Sequence, residues 1–308
     1  MPSIKNYLSL VKFSHTLFAM PFALIGLFLG IATLDKIPNV YYNLVSNNSN
    51  KDKLGMFFRY NWLLLILVIG CMIFARSAAM AFNRWLDANY DKNNPRTAIR
   101  EIPSGIIKPG NAMWFVALNC IAFVLCCWFI NRLCFYLSFA ALFVVLFYSY
   151  TKRFTALCHL VLGIGLSLAP IGAYLAVTGS FAVLPLLFSF AVFFWVSGFD
   201  IIYALQDEEF DKSEQLHSIP AAIGKAKALK VSELLHLISA SCVAYAGVFG
   251  HFGFYYWIAV AIFSGLLIFQ HQLVKPTDLS KVNMAFFTAN GVASVIFATF
   301  VILDIFLN

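Results

Sequence analysis

Long apolar segments alternate with short polar ones along the whole chain. Stretches without Asp, Glu, Lys or Arg cover residues 13–34, 154–199, 234–274 and 282–303. A helix that crosses a bilayer needs about 20 apolar residues, so the second and third stretches are each long enough for two crossings. With the turn residues between them, the pattern predicts nine helices, at approximately 13–34, 60–86, 112–131, 133–150, 156–177, 182–205, 229–249, 253–273 and 284–306.

Composition excludes a water-soluble globule. Of the 308 residues, 61% are hydrophobic and only 11% are charged, and the mean hydropathy is +0.82. A typical soluble domain is about 45–50% apolar and about 25% charged. The chain is therefore predicted to be one all-α, multi-pass membrane domain over residues 1–308, surrounded by lipid. No feature of it indicates a nucleic acid or an obligate protein partner.

The distribution of charge predicts an orientation. If the N-terminus is inside, the inner segments hold 15 of the 21 basic residues, which is the bias expected of cytoplasmic loops. This places the protein in the inner (cytoplasmic) membrane with its C-terminus outside. The same arrangement puts 11 of the 14 acidic residues on the cytoplasmic side. Retention of basic residues does not explain those acids, so their concentration needs another cause.

The first acidic cluster follows the second predicted helix. Asn83, Asp87 and Asp91 are spaced four residues apart. At about 100° per residue, each step of four advances only about 40°, so the three side chains share one face of a helix. One stripe can thus present three oxygen ligands.

The second acidic cluster follows the sixth predicted helix. Asp200, Asp207 and Asp211 are separated by seven and four residues, and these spacings return to nearly the same helical angle, with Tyr203 near the edge of the stripe. Asp200 directly follows the uncharged run 154–199. Ionisable groups at the rim of a bilayer are costly and usually mark function.

A divalent cation would offset the cost of these acids, which also stand at helix C-termini where the macrodipole is negative. The candidate ligands are hard oxygens, with no His or Cys at metal-binding spacing, which favours Mg²⁺. Because Mg²⁺ typically joins a few carboxylates to substrate phosphates, two facing clusters indicate a bound diphosphate. A single cluster could equally be a solvated helix end, but two in matching positions argue against that interpretation.

The matching positions also suggest an internal repeat. Helices one to four, about 13–150, correspond to helices five to eight, about 156–273, and the helix at 284–306 is additional. A duplicated bundle places its site at the interface between the halves.

Basic residues near the clusters could bind the diphosphate. Arg96 and Arg100 lie in a loop shaped by prolines, and Arg76 lies inside the second predicted helix, where a buried guanidinium needs an acidic or phosphate partner. Tyr148 and Lys152, at the end of the fourth predicted helix, are at the same membrane face. Ordinary cytoplasmic retention explains Arg96 or Arg100 singly about as well.

His15 could contact an acceptor, although a structural hydrogen bond is the simpler explanation, and the other histidines form no cluster in the sequence.

Taken together, these motifs resemble the UbiA superfamily of intramembrane prenyltransferases. The resemblance covers nearly the whole chain. It includes Phe13-Ser-His15-Thr, Pro21-Phe-Ala, the Asn83/Asp87/Asp91 motif, the Asn-Pro-Arg-Thr-Ala loop at 94–98, the segment 148–153 and the second motif at 200–211.

The resemblance implies a helical bundle with a lateral, lipid-open cavity that holds two Mg²⁺ ions. It implies metal ligation by Asn83, Asp87, Asp91, Asp207 and Asp211, with catalytic roles for these aspartates and for Asp200. It implies substrate contacts from Arg76, Asn83, Arg96, Arg100, Tyr148, Lys152 and Tyr203.

The implied reaction is transfer of a polyprenyl group from a polyprenyl diphosphate to an aromatic acid. The second motif is most similar to that of 4-hydroxybenzoate polyprenyltransferases of ubiquinone synthesis. A similar branch prenylates a naphthoate in the futalosine route to menaquinone, and the sequence does not separate the two. Nor does it say whether an aspartate of the second motif or the released diphosphate removes the ring proton. An ion-coupled transporter is the rival from another class, and a lipid-binding scaffold is a weaker one.

Overall fold

The computed structural model describes residues 3–12, 20–33 and 50–307. Within these ranges the chain is helical and contains no β-strand; one isolated bridge pairs Lys275 with Asp278. The first predicted helix is described only from residue 20, where α2 runs Met20–Ala32. His15 lies outside the described residues.

Eight long apolar segments of the described chain could each cross a membrane. They correspond to the second to ninth predicted helices, so the prediction of an all-α, multi-pass membrane protein is confirmed. The main helices are α4 (Trp62–Leu86), α6 (Pro109–Ile130), α7 (Arg132–Thr151), α8 (Cys158–Thr178), α9 (Val183–Ala204), α12 (Lys225–Phe249), α13 (Phe254–Leu273) and α14 (Asn290–Leu307).

Short helices lie at the ends of the bundle. They are α1 (Ile4–Leu10), α3 (Asn50–Tyr60), α5 (Ala88–Asn93), α10 (Glu208–Ser213) and α11 (Ile219–Ile223). A 3₁₀ turn, Leu205–Asp207, joins α9 to α10, and a π-helix, Met284–Ala289, precedes α14. The predicted continuous helix at 284–306 is therefore wider in its first turns than an α-helix.

Helix α9 is at the centre of the packing, between α8 and α12, and α2 packs on α8. Lipid tails are as apolar as the side chains, so close backbone approach and interhelical hydrogen bonds hold such helices together. A Cβ at Gly26 of α2 would lie 1.9 Å from the carbonyl oxygen of Pro170 in α8, so only glycine fits there. Ser232 and Ser239 of α12 donate to backbone carbonyls of α9, at 2.7 and 2.8 Å.

The C-terminal ends of α4, α7 and α9 meet at one end of the bundle. The Arg153 guanidinium, just after α7, donates to the carbonyl of Leu86 at 3.1 Å, and the Lys152 carbonyl accepts from the His217 N–H at 2.7 Å. α1 lies at the same end, where Leu10 and Val11 pack into a cluster with residues of α4 and α6. This end carries both acidic motifs and is the end predicted to face the cytoplasm.

Candidate functional site

A cavity of about 270 Å³ opens at this end of the bundle. Its walls come from both halves of the chain and from Lys12, which follows α1. The predicted site residues that line it are Arg76, Asn83, Asp87, Asp91, Arg96, Arg100, Tyr148, Lys152, Asp200, Tyr203 and Asp207. The sequence thus identified groups that the fold brings together from more than 100 positions apart, whereas Asp211 is not part of the lining.

Basic side chains of the 94–108 loop connect the two motifs. Arg96 forms an ion pair with Asp207, with its Nε 3.1 Å from Oδ1, and its Nη1 donates to the Tyr203 hydroxyl at 3.0 Å. Arg100 donates to both oxygens of Asp91, at 2.7 and 2.8 Å. Such charge-assisted contacts are among the stronger hydrogen bonds, and the first of them joins the loop after motif one to motif two.

The two residues after α7 bind two more of the predicted acids. Arg153 contacts Asp87 at 2.9 Å, and Lys152 contacts Asp211 at 2.6 Å. Asp211 is fully buried and also accepts from the Ser218 hydroxyl at 2.8 Å. Burial raises the pKa of Asp87 despite Arg153. Burial would lower the pKa of Lys152, but the charge of Asp211 outweighs it and the net change is upward.

The structure differs from the predicted continuous stripes. α4 ends at Leu86, Asp87 is its C-cap, and Asp91 is in the separate short helix α5. Backbone bonds from Asp87 to Asn83 and from Asp91 to Asp87 keep the four-residue register, so these side chains still lie on the cavity side. In the second motif the 3₁₀ turn Leu205–Asp207 lies between Asp200 and Asp211. The Asp211 side chain points away from the cavity and is buried against Lys152. Helical angle alone could not show that turn.

Arg76 is half-buried in α4, and no acidic partner is found for it among the described residues. Its Nε is buried without a hydrogen-bond partner, and it forms no ion pair with the described residues. Tyr148 lines the same cavity. Both residues line the cavity, so the open guanidinium is accessible to a ligand rather than to the protein's own acids. A buried cation in this state indicates an anionic ligand.

Asp200 has a histidine partner that the sequence analysis missed. His159 Nδ1 lies 2.7 Å from Asp200 Oδ2, and the Ile219 N–H donates to His159 Nε2 at 3.3 Å. Because Nε2 accepts, Nδ1 carries the proton that is donated to Asp200. His236 and His271 also form a pair, with ring nitrogens 2.9 Å apart, which their separation in the sequence does not reveal.

Lys12 is a second residue that the sequence analysis missed as part of the site. It follows α1, lines the cavity and has a positive φ of 42°. Burial and the neighbouring Arg84, Arg100 and Arg96 lower its pKa to about 8. In the sequence, Lys12 was indistinguishable from any lysine that precedes a membrane span; only the docking of α1 on α4 brings it to the acids.

The donor set fits magnesium bound together with a substrate. Asn83 and the four carboxylates of Asp87, Asp91, Asp200 and Asp207 line the cavity, and the Asn83 amide donates to Asp87 at 3.0 Å. Among residues 3–12, 20–33 and 50–307, no three acids, histidines or cysteines are close enough to bind a metal by themselves. Each motif can therefore supply one or two oxygens, leaving positions for water and phosphate, as Mg²⁺ prefers.

The sequence pattern that defines the UbiA prenyltransferase family matches residues 54–292, which is most of the chain. The chain belongs to the UbiA prenyltransferase family. It is therefore an integral membrane enzyme that transfers prenyl groups, and the resemblance inferred from the motifs is confirmed. The transporter and scaffold alternatives are set aside by this membership.

Two relatives of this UbiA chain are called 4-hydroxybenzoate octaprenyltransferase. The one from Francisella tularensis subsp. novicida (strain U112) is 29% identical over 240 residues, which cover 78% of this chain and 84% of the relative. The one from Nitrosomonas europaea is 32% identical over 237 residues, with 77% and 80% covered.

Solved UbiA structures share the fold. The apo structure of a UbiA homologue from Aeropyrum pernix K1 aligns with a TM-score of 0.77 and 28% identity, covering 94% of this chain and 98% of that one. A UbiA homologue from Archaeoglobus fulgidus bound to GPP and Mg²⁺ aligns with a TM-score of 0.70 and 20% identity, covering 97% and 99%. The likeness to the second protein concerns the fold alone.

Proposed function

We propose that this protein transfers a polyprenyl group from a polyprenyl diphosphate to an aromatic acid of the 4-hydroxybenzoate type, in quinone biosynthesis. The observation that carries the proposal is one cavity lined by residues of both acidic motifs and by Arg76, whose buried Nε has no hydrogen-bond partner. The names of the two relatives support the same acceptor class.

The diphosphate binds between the motifs in this proposal. Arg96, Arg100, Lys152 and Lys12 all line the cavity close to the carboxylates, so they supply positive charge to phosphate oxygens once those carboxylates bind metal. Asn83, Asp87, Asp91 and Asp207, with Asp211 predicted in addition, would hold Mg²⁺, which neutralises the diphosphate and weakens its bond to the allylic carbon. Asp211 does not line the cavity itself, but it contacts Lys152, which does.

The acceptor lies deeper, in the direction of α4 and α9. Its carboxylate pairs with Arg76 beside Tyr148, and its ring then lies between these residues and Asp200. The ring carbon ortho to the hydroxyl forms the new bond to the allylic carbon as the diphosphate leaves with the bonding electrons. Asp200, oriented by the Nδ1 proton of His159, accepts the proton released from the acceptor. The sequence left this base unassigned between the second motif and the released diphosphate.

The location follows from the substrates. A polyprenyl tail dissolves only in lipid, whereas the diphosphate and Mg²⁺ come from the cytosol. We therefore place the chain in the cytoplasmic membrane, with the cavity end and the N-terminus on the cytoplasmic side. The excess of basic residues at that end supports this orientation.

A naphthoate acceptor is the second candidate within the same chemistry. It also carries a carboxylate for Arg76, so the contacts at that residue do not favour either ring.

The test incubates detergent-purified protein, Mg²⁺ and geranyl diphosphate with 4-hydroxybenzoate, a dihydroxynaphthoate or phenol, and identifies products by mass. We expect prenylated 4-hydroxybenzoate, and turnover of phenol at least about tenfold lower in kcat/KM, because phenol forgoes a charge-assisted contact. In Arg76→Met this difference should largely vanish. Equal use of phenol and 4-hydroxybenzoate by the unaltered protein would contradict the proposal, and product from the naphthoate alone would replace the acceptor with the second candidate.

A further inference from the structure

The π-helix Met284–Ala289 borders the cavity. π-turns are rare and are frequent at functional sites, because the extra residue in the turn redirects side chains. Here one of two consecutive aromatic residues lines the cavity, and the other contacts a lysine that lines it. Phe286 lines the cavity, and the Phe287 ring lies 5.8 Å from the Lys12 ammonium.

Phe286 belongs to an aromatic wall beside the second acidic motif. Its ring centroid is 4.2 Å from that of Tyr203 and 5.3 Å from that of Phe199. The Tyr203 hydroxyl accepts from Arg96, which pairs with Asp207. The apolar face of the wall therefore begins where the charged part of the cavity ends, at the boundary that the allylic carbon of a bound prenyl diphosphate would occupy.

A buried polar network fixes the position of the π-helix. Asn290, the residue after it, accepts from the Trp195 indole at 3.0 Å and from the Gln270 amide at 2.6 Å. Its own amide donates to the carbonyl of Phe286 at 2.9 Å. Trp195, Gln270 and Asn290 are all completely buried. Polar groups without water in the membrane interior are costly unless they are paired, and the three hydrogen bonds of Asn290 tie α9 and α13 to the π-helix.

We propose that Phe286 is the wall that keeps water from the allylic carbon, and that Asn290 is a positioning residue that holds Phe286 in place. This inference rests on the proposed prenyl transfer. When the carbon–oxygen bond breaks, its electron pair leaves with the diphosphate. The allylic carbon then bonds either to the acceptor ring, which loses a proton, or to water, which loses a proton and yields a prenyl alcohol. Phe286 sets the partition between these two outcomes by excluding the water.

The partition can be measured with geranyl diphosphate, Mg²⁺ and 4-hydroxybenzoate by quantifying geraniol and prenylated acid from the same reaction. In Phe286→Ala the ratio of geraniol to prenylated acid should rise about tenfold, with the KM for geranyl diphosphate within about twofold of the unaltered protein. Phe286→Leu, which keeps an apolar wall, should stay near the original ratio. Asn290→Leu, which is similar in size but cannot bridge Trp195 and Gln270, should shift the ratio as Phe286→Ala does.

Phe306→Ala is the matched control, because Phe306 is on α14 but packs against Phe28 at 5.7 Å, away from the cavity. A reaction without acceptor separates this inference from the proposed function, since the rate of geraniol release should still rise in Phe286→Ala whichever acid is the acceptor. The proposal would be overturned if folded Phe286→Ala kept both the original ratio of geraniol to prenylated acid and the original rate of geraniol release without acceptor. If Asn290→Leu fails to fold, Phe286→Ala and Phe286→Leu decide the matter.

Discussion

Single residues at this site differ in how far the sequence reveals them. Aspartates at four-residue spacing in an apolar chain can be recognised from the sequence, because carboxylates are costly near a bilayer and usually mark a functional site. Arg76 was equally visible as a charge inside a helix. His159 and Lys12 were not, because a histidine in an apolar helix and a lysine before a span are ordinary features. Their neighbours, Asp200 for His159 and the arginines that repel Lys12, come from distant segments.

Lys12 gives a prediction about pH. Its pKa is lowered to about 8 by burial and by nearby arginines, so the free protein loses this charge as the pH rises through that value. A bound diphosphate favours the protonated form. Donor binding should therefore weaken above about pH 8, with the KM for geranyl diphosphate rising up to about tenfold per pH unit until the pKa of the complex is reached.

Lys12→Met should raise that KM at pH 7 and remove its dependence on pH between about 7 and 9. The measurement is a series of steady-state KM values with Mg²⁺ held saturating. A Lys12→Arg variant should keep the low KM without the pH dependence. An unchanged KM in Lys12→Met would show that the lysine does not contact the donor.

At the scale of elements, helix positions followed from hydropathy, but interruptions within helices did not. The chain leaves α-helical geometry at Asp87, in the turn Leu205–Asp207 and in the π-helix, all of them at the cavity. Asn290 bonds to the π-helix, and Ser218 bonds to Asp211 beyond the 3₁₀ turn. A periodicity argument cannot include such tertiary contacts. As a result Asp211, predicted beside Asp207, instead anchors the junction of α7, α10 and α11.

That anchoring predicts a loss of stability. Lys152→Met should leave the fully buried Asp211 carboxylate without its cation and destabilise the protein by about 3–5 kcal/mol. Adding Asp211→Asn should recover a large part of the loss, because the uncompensated charge is gone. Thermal unfolding of the two single variants and the double variant in detergent measures this coupling.

Lys230→Met is the control for this cycle, since Lys230 pairs with Glu233 on the surface, where the two side chains are 78% and 41% exposed. Its effect should stay within about 1 kcal/mol. Additive losses from the Lys152 and Asp211 variants would mean that the pair does not act as a unit.

At the scale of the whole molecule, the arrangement of two halves around one site was visible in the sequence as two acidic motifs in matching positions. The internal repeat itself stays a prediction, as does the lateral opening to lipid. What the sequence could not supply was the connection between the motifs, which Arg96 makes by reaching Asp207 across the cavity.

The central claim is that both motifs bind one magnesium diphosphate together. Calorimetric titration of the purified protein with a non-reactive thio analogue of geranyl diphosphate tests it directly, with Mg²⁺ and with EDTA, for the unaltered chain, Asp87→Asn and Asp207→Asn. The account predicts Mg²⁺-dependent binding to the unaltered chain and a loss of affinity of at least about tenfold in each variant, even though each lacks a carboxylate from only one motif. Unchanged Mg²⁺-dependent affinity in either folded variant would contradict a shared site.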